Sequence, residues 1–304
     1  MNAQGAPVAL GENLEITARL RRFDDAEGVA LAGHGQIDGI IAGELQKHAG
    51  VGAALIGLAG GVQESRTESE TCGHALLVAD PFTLCLLDAE GAGLLPKLKP
   101  LASIGGGLSY ALVVREDSPL KDWASLTAAA GGPSLLAMAN NDRMSAYLSA
   151  KDLMQKRAGL IFQPFVAGSA QAILDRVLTQ QCDLGTIDTR LALLHNEKAA
   201  PKGKVRVLVT FGALRAPELP DVLTFAEIVG DPKAAYTTSV AVFCSPSADA
   251  TFASTATAAL LSIADNEAMR QEARQLRFPL RIEGPESVQA TIARDRRVIR
   301  DLYS

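Results

Sequence analysis

The chain has 304 residues, 48% hydrophobic and 21% charged, which is enough apolar material for one large core or, as the length favours, two ordinary ones. A net charge of −5 and an aromatic content of 5% exclude the basic, ring-lined surface that a nucleic-acid partner requires. The longest apolar stretches, Ala75 to Ala79 and Val240 to Cys244 among them, fall far short of the roughly 20 residues of a membrane-spanning helix, so no direct membrane insertion is expected.

Taken in chain order, the opening segment MNAQGAPVALGENLEI lacks the basic and apolar regions of a signal peptide, which leaves a cytosolic chain and a mature form with a supplied Met1 both open. An amphipathic stretch predicts a helix over Asp38 to Lys47, and short apolar runs predict strands at Ala53 to Ile56 and Ala75 to Val78. Ile104-Gly105-Gly106-Gly107 then interrupts the pattern as a hinge would. Further strands are expected at Tyr110 to Val114, Leu135 to Met138, Leu160 to Phe165, Leu184 to Ile187, Val205 to Thr210 and Ser239 to Cys244. Helices are expected between them, at Ser145 to Gln155, Ala170 to Leu178 and Arg190 to Glu197. This alternation argues for an α/β architecture with largely parallel strands. After the strand at Val205, Pro220 and Asp221 predict a rigid turn, and Thr224 with Glu227 forms a T-x-x-E capping box that opens a short helix. The end is helical by periodicity over Thr251 to Leu276 and Pro285 to Leu302, with breaks at Asp265-Asn266 and Pro279. A chain that crosses at Gly105 to Gly107 and returns through Lys233 to Thr238 makes two lobes, 1–106 with 241–304 and 107–240, with a central cleft.

Enzyme motifs are weak. Gly33-x-Gly35-x-x-Asp38 departs from a dinucleotide fingerprint by placing a side chain at the third glycine, and no ribose-binding acid follows the next strand. Gly107-Leu108-Ser109-Tyr110-Ala111 imitates a nucleophile elbow but precedes a strand instead of following one. His34, His48, His74 and His195 show no ligand spacing, and Cys72, Cys85, Cys182 and Cys244 contain no C-x-x-C and read as buried small hydrophobes. No catalytic residue, metal or cofactor is expected. Arg294 to Arg300 reads as a solvated helix face.

The segment Leu219-Pro220-Asp221-Val222-Leu223-Thr224-Phe225-Ala226-Glu227 resembles the LPDVPT..E signature of the substrate-binding proteins of tripartite tricarboxylate transporters, the Bug or TctC family. Other pieces are similar in order and spacing: Asp117-Ser118-Pro119-Leu120, Ser145-Ala146-Tyr147-Leu148, Gly168-Ser169-Ala170, Asp188, Asp265 to Arg270, and Pro285-Glu286-Ser287. The resemblance implies a two-lobed periplasmic-binding-protein-like fold with two crossing hinge segments. It also implies a non-catalytic, periplasmic solute-binding protein that closes on a small carboxylate for a membrane permease. A signal segment upstream of the sequence given is part of that expectation.

The resemblance further implies the ligand turns. In the first lobe these match Gly35, Gln36, Ile37 and Asp38, then Gly60 and Gly61, then Asp80 to Thr83. In the second they match Asn140, Asn141, Arg143 and Ser145, then Gly168, Ser169 and Ala170, then Asp188 and Thr189. Backbone N–H groups at such helix starts suit an anion. Departures from the family are local. Gly33-His34-Gly35-Gln36-Ile37-Asp38 stands where members read PGGGTD, and Asn140-Asn141-Asp142-Arg143-Met144 where they carry small and hydroxyl residues. Asp80 places a carboxylate where a neutral hydroxyl is usual. These changes leave open a carboxylate gripped by Arg143, an amino-acid-like ligand paired with Asp80 or Asp142, and a sensor or interaction module with altered recognition.

Overall fold

A computed structural model of the chain describes residues 54–56, 75–89, 95–130, 137–140, 145–167, 170–275 and 277–303. The helix expected over Asp38 to Lys47 lies outside them. The strands are β1 (Ala54–Ile56), β2 (Ala75–Ala79), β3 (Lys99–Arg115), β4 (Ala137–Asn140), β5 (Gln163–Val166), β6 (Leu184–Asp188), β7 (Val205–Thr210), β8 (Thr237–Cys244) and β9 (Ile282–Glu283). The α-helices are α1 (Pro81–Ala89), α2 (Trp123–Ala130), α3 (Ser145–Ala158), α4 (Ala170–Leu178), α5 (Thr189–Lys198), α6 (Phe225–Val229), α7 (Ala250–Ile263), α8 (Glu267–Gln275) and α9 (Pro285–Tyr303).

The chain forms two compact units, each with its own sheet. The described residues through Gly106 join Ser239–Arg297 in the first unit, and Gly107–Thr238 join Val298 onward in the second. In the first sheet β1 pairs parallel with β2, β2 antiparallel with β8, and the start of β3 antiparallel with β9. In the second sheet β4 pairs parallel with both β5 and β6, while the end of β3 runs antiparallel to β6 and β7. The sheets are therefore mixed, which corrects the expectation of largely parallel strands. An apolar run such as Val205 to Thr210 is equally buried in either direction, so its composition carries no sign of polarity.

Burial follows the apolar pattern. In the second unit Ala111, Val113, Ile173, Leu174, Val177, Ile187 and Val205 form one core between the sheet and α4. In the first, Leu76, Phe82, Leu101, Phe243, Phe252 and Leu260 are buried. Cys85, Cys182 and Cys244 are free, buried thiols, as their spacing suggests.

Two helices escape the sequence reading. Asp80 to Thr83, read as a turn, opens α1: Pro81 takes the first helical position, where its missing N–H is not needed, and the Asp80 carboxylate accepts from Phe82 N at 3.2 Å. α2 starts from a reciprocal pair in which Ser125 N donates to Asp122 Oδ1 (2.8 Å) and Asp122 N donates to Ser125 Oγ (3.0 Å). The Ser125 N–H first, and then the Ser125 hydroxyl, hold the Asp122 carboxyl below its usual range.

The glycine triplet does not end a strand, because β3 runs through it. Gly105 has φ +67° and Gly107 φ +84°, values that an L side chain adopts only with strain. Gly105 also packs against the buried ring of Phe278: a Cβ there would stand 2.2 Å from Cζ, whereas one at Gly107 would meet nothing within 4 Å. Gly105→Ala should therefore cost clearly more than the roughly 1 kcal/mol of left-handed strain expected for Gly107→Ala. Urea unfolding of both variants checks this, and equal losses would show that the Phe278 contact imposes no constraint.

Candidate functional site

In the second unit β4, β5 and β6 are mutually parallel, so their ends at Asn140, Val166 and Asp188 lie at one edge of the sheet. Helices begin beyond all three, at Ser145, Ala170 and Thr189. β7, antiparallel to β3 as β6 is, finishes at the same edge with Thr210. The register fixes the level: Tyr110 stands opposite Asp188, Ala111 opposite Thr210, and Phe211 N donates to Tyr110 O at 2.9 Å.

Asp188 is 2% exposed and does two things. Its carboxylate caps α5 by accepting from Arg190 N at 2.8 Å, and it holds the Arg190 guanidinium through Nε (3.0 and 3.3 Å) and NH2 (2.8 Å). Charge and cap are satisfied together, so the carboxylate adds no open negative charge to the edge. Next to it Ser109 Oγ and Thr189 Oγ1 lie 3.0 Å apart. Gly212 completes this corner, since a Cβ on it would come within 3.2 Å of Ser109 Cβ and 3.0 Å of Leu214 O. The corner can offer hydroxyl groups and first-turn N–H groups, which are hydrogen-bonding chemistry and not proton transfer.

The loop carrying LPDV is braced from outside the sheet. Arg215 Nε donates to both Glu227 oxygens at 3.0 Å, and its NH1 donates to Pro220 O at 2.8 Å. The expected capping box is present: Thr224 N donates to Glu227 Oε2 (2.8 Å) and Glu227 N donates to Thr224 Oγ1 (3.2 Å). The Thr224 N–H first, and then Arg215, hold the Glu227 carboxyl below its ordinary range.

Among the residues singled out from sequence, Asp188 and Thr189 join this corner, while Asn140, Ser145 and Ala170 lie on the backbone along the same edge. Asp80 and Thr83 belong to the start of α1 in the other unit. Gly35, Gln36, Ile37, Asp38, Gly60, Gly61, Asn141, Arg143, Gly168 and Ser169 lie outside the described residues. Sequence reasoning missed Arg190, for which the D-x-R spacing was the available signal, and Ser109, which no local pattern marks. Among the described residues no group of three or more His, Cys, Asp or Glu is placed to hold a metal ion, and no helix is long and apolar enough to cross a membrane.

Replacing Asp188 by alanine removes both the cap and the partner of a buried guanidinium, which should cost about 3 kcal/mol. Asp188→Asn keeps a capping oxygen and should lose less. Urea midpoints measure both, and two variants as stable as the parent would contradict the role given to the pair.

Comparison with known proteins identifies the fold, the two-lobed α/β fold of periplasmic binding proteins, and the family. Residues 94–296 match the family described as the tripartite tricarboxylate transporter family receptor, TctC. No curated protein matches the chain in sequence. Among solved structures, the periplasmic binding protein BugD is similar with a TM-score of 0.71 at 14% identity, over 94% of this chain and 95% of that one. A Rhodopseudomonas palustris protein solved with adipate gives 0.72 at 17% identity, over 90% and 94%. MatC from the same organism, solved with bound malate, gives 0.68 at 18%, over 87% and 93%. The family match spans well over half of the sequence, and the chain belongs to the TctC family of tripartite tricarboxylate transporter receptors.

Proposed function

We propose that this chain is a non-catalytic, periplasmic solute-binding protein that captures a small organic carboxylate by closure of its lobes and delivers it to a tripartite-type membrane permease. The observation that carries this reading is the convergence of three strand ends and three helix starts on one sheet edge, where the buried carboxylate of Asp188 is paired with Arg190. Such an edge offers the N–H groups of helix starts and the Ser109 and Thr189 hydroxyls, which suits an anion. Malate and adipate in the two R. palustris relatives support the ligand class.

The ligand turns we assign are those of the sequence reading. To the second lobe we assign Gly168, Ser169 and Ala170, then Asn140, Asn141, Arg143 and Ser145, then Asp188 and Thr189, of which Asn140, Ser145, Ala170, Asp188 and Thr189 lie on the described edge. Gly35 to Asp38, Gly60, Gly61, Asp80 and Thr83 are assigned to the first lobe, with a hinge at Gly105 to Gly107. A second reading, a sensor or interaction module with altered recognition, draws on Asn140 to Met144, which is bulkier and more charged than the family's turn.

Thermal-shift screening against mono- and dicarboxylates, aromatic acids and amino acids tests the class, because a ligand of the folded state raises the melting temperature. For any acid that binds, Ser169→Leu should weaken affinity more than about tenfold, or about 1.4 kcal/mol, with an unchanged melting temperature of the free protein. Unchanged affinity in calorimetry would remove Ser169 from the site. Stabilisation by no carboxylate at all would favour the second reading.

A further inference from the structure

Asp295 is an acidic residue on α9 with 1% of its surface exposed. Its Oδ1 accepts from Arg294 Nε at 2.8 Å and Arg294 NH2 at 2.7 Å, whereas its Oδ2 is buried and meets no hydrogen-bond donor. A buried carboxylate satisfied on one oxygen only is costly to keep ionised, more costly than its neutral acid, which leaves one hydroxyl unpaired instead of a charge. α9 is tied to α1 on either side of this position. Cys85 Sγ donates to Ile292 O at 3.8 Å, and Arg296 NH2 reaches Asp88 Oδ2 at 3.1 Å.

Among the described residues, the charged and titratable groups acting on this contact are Arg294 and Arg296 on α9, with Asp80, Cys85 and Asp88 from α1 and its N-terminus. Burial pushes the Asp295 carboxyl up to about 7, against the pull of Arg294 and with a further push from Asp80. Burial, followed by the Asp295 charge, pushes the Cys85 thiol up to about 12, so it remains a neutral donor.

We propose that Asp295 is a pH-sensitive latch on α9. Neutral, it seats the helix against α1; ionised, it leaves a buried charge that loosens the seat. This goes beyond solute binding and holds whatever the ligand is. The sign follows from linkage. The folded chain holds the Asp295 proton more tightly than the unfolded chain, so its contribution favours folding at acidic pH. That contribution declines as pH rises from the unfolded value of 3.8 to about 7, and is flat above it.

The test compares the intact protein with Asp295→Asn, which mimics the neutral form. Between about pH 5.5 and about pH 8.5 the melting temperature of the parent should fall by a few degrees more than that of the variant, and the variant should melt higher at the alkaline end. Amide protection in 292–299 should drop over the same range in the parent alone. Parallel pH profiles for the two proteins would overturn the latch. A carbon-13 NMR titration of the Asp295 carboxyl needs no variant: a midpoint near neutrality supports the proposal, and one in the ordinary carboxylate range overturns it.

Discussion

The site depends on the backbone pairing of β3. This strand contributes to both sheets, antiparallel to β9 at Ser103 and Ile104 and antiparallel to β6 and β7 from Tyr110 onward. By holding Tyr110 level with Asp188 and Ala111 level with Thr210, it aligns two strand ends that are far apart in sequence. Ser109 and Thr189 meet only because of that register, and a slip of β3 by one residue would turn the Ser109 side chain to the opposite face. The price of running a strand through three glycines is conformational freedom in the unfolded chain, offset at Gly105 by an N–H bond to Arg281 O at 2.9 Å and by the Phe278 ring.

Electrostatics at the edge is settled by short-range pairs. Asp188 and Arg190, both buried, cancel each other within one turn of α5, so the charge at this edge is set by backbone dipoles and whatever the adjoining turns supply. Arg215 and Glu227 make a similar bidentate pair, but both are exposed. A pair of that kind contributes little to stability, and its role is geometric: it ties the LPDV turn to the start of α6.

Much of this was legible in the sequence where chemistry is local. The Thr224–Glu227 box needs only four consecutive residues, and it forms as expected. The strand at Val205 to Thr210 and the helix at Ala170 to Leu178 were legible from runs and periodicity alone. Long-range features were not. Strand direction at β3, β7 and β8 depends on which edge the chain enters, and no composition encodes that. α1 was hidden because Asp80-Pro81 signals a turn and a helix start equally well, and apolar residues around much of the helix blur its period. Asp188 was found through family resemblance, yet its engagement by Arg190 was not, since the two side chains meet here across the bend from β6 into α5, which no local pattern marks.

The central claim is that a TctC receptor fold presents a carboxylate-binding edge at the ends of β4, β5 and β6. A crystal structure of the protein grown with malate or adipate tests it most directly. The account predicts a carboxylate group hydrogen-bonded to the turns at 168–170 and 188–189. A dicarboxylate bound only to other elements, with those turns untouched, would contradict it.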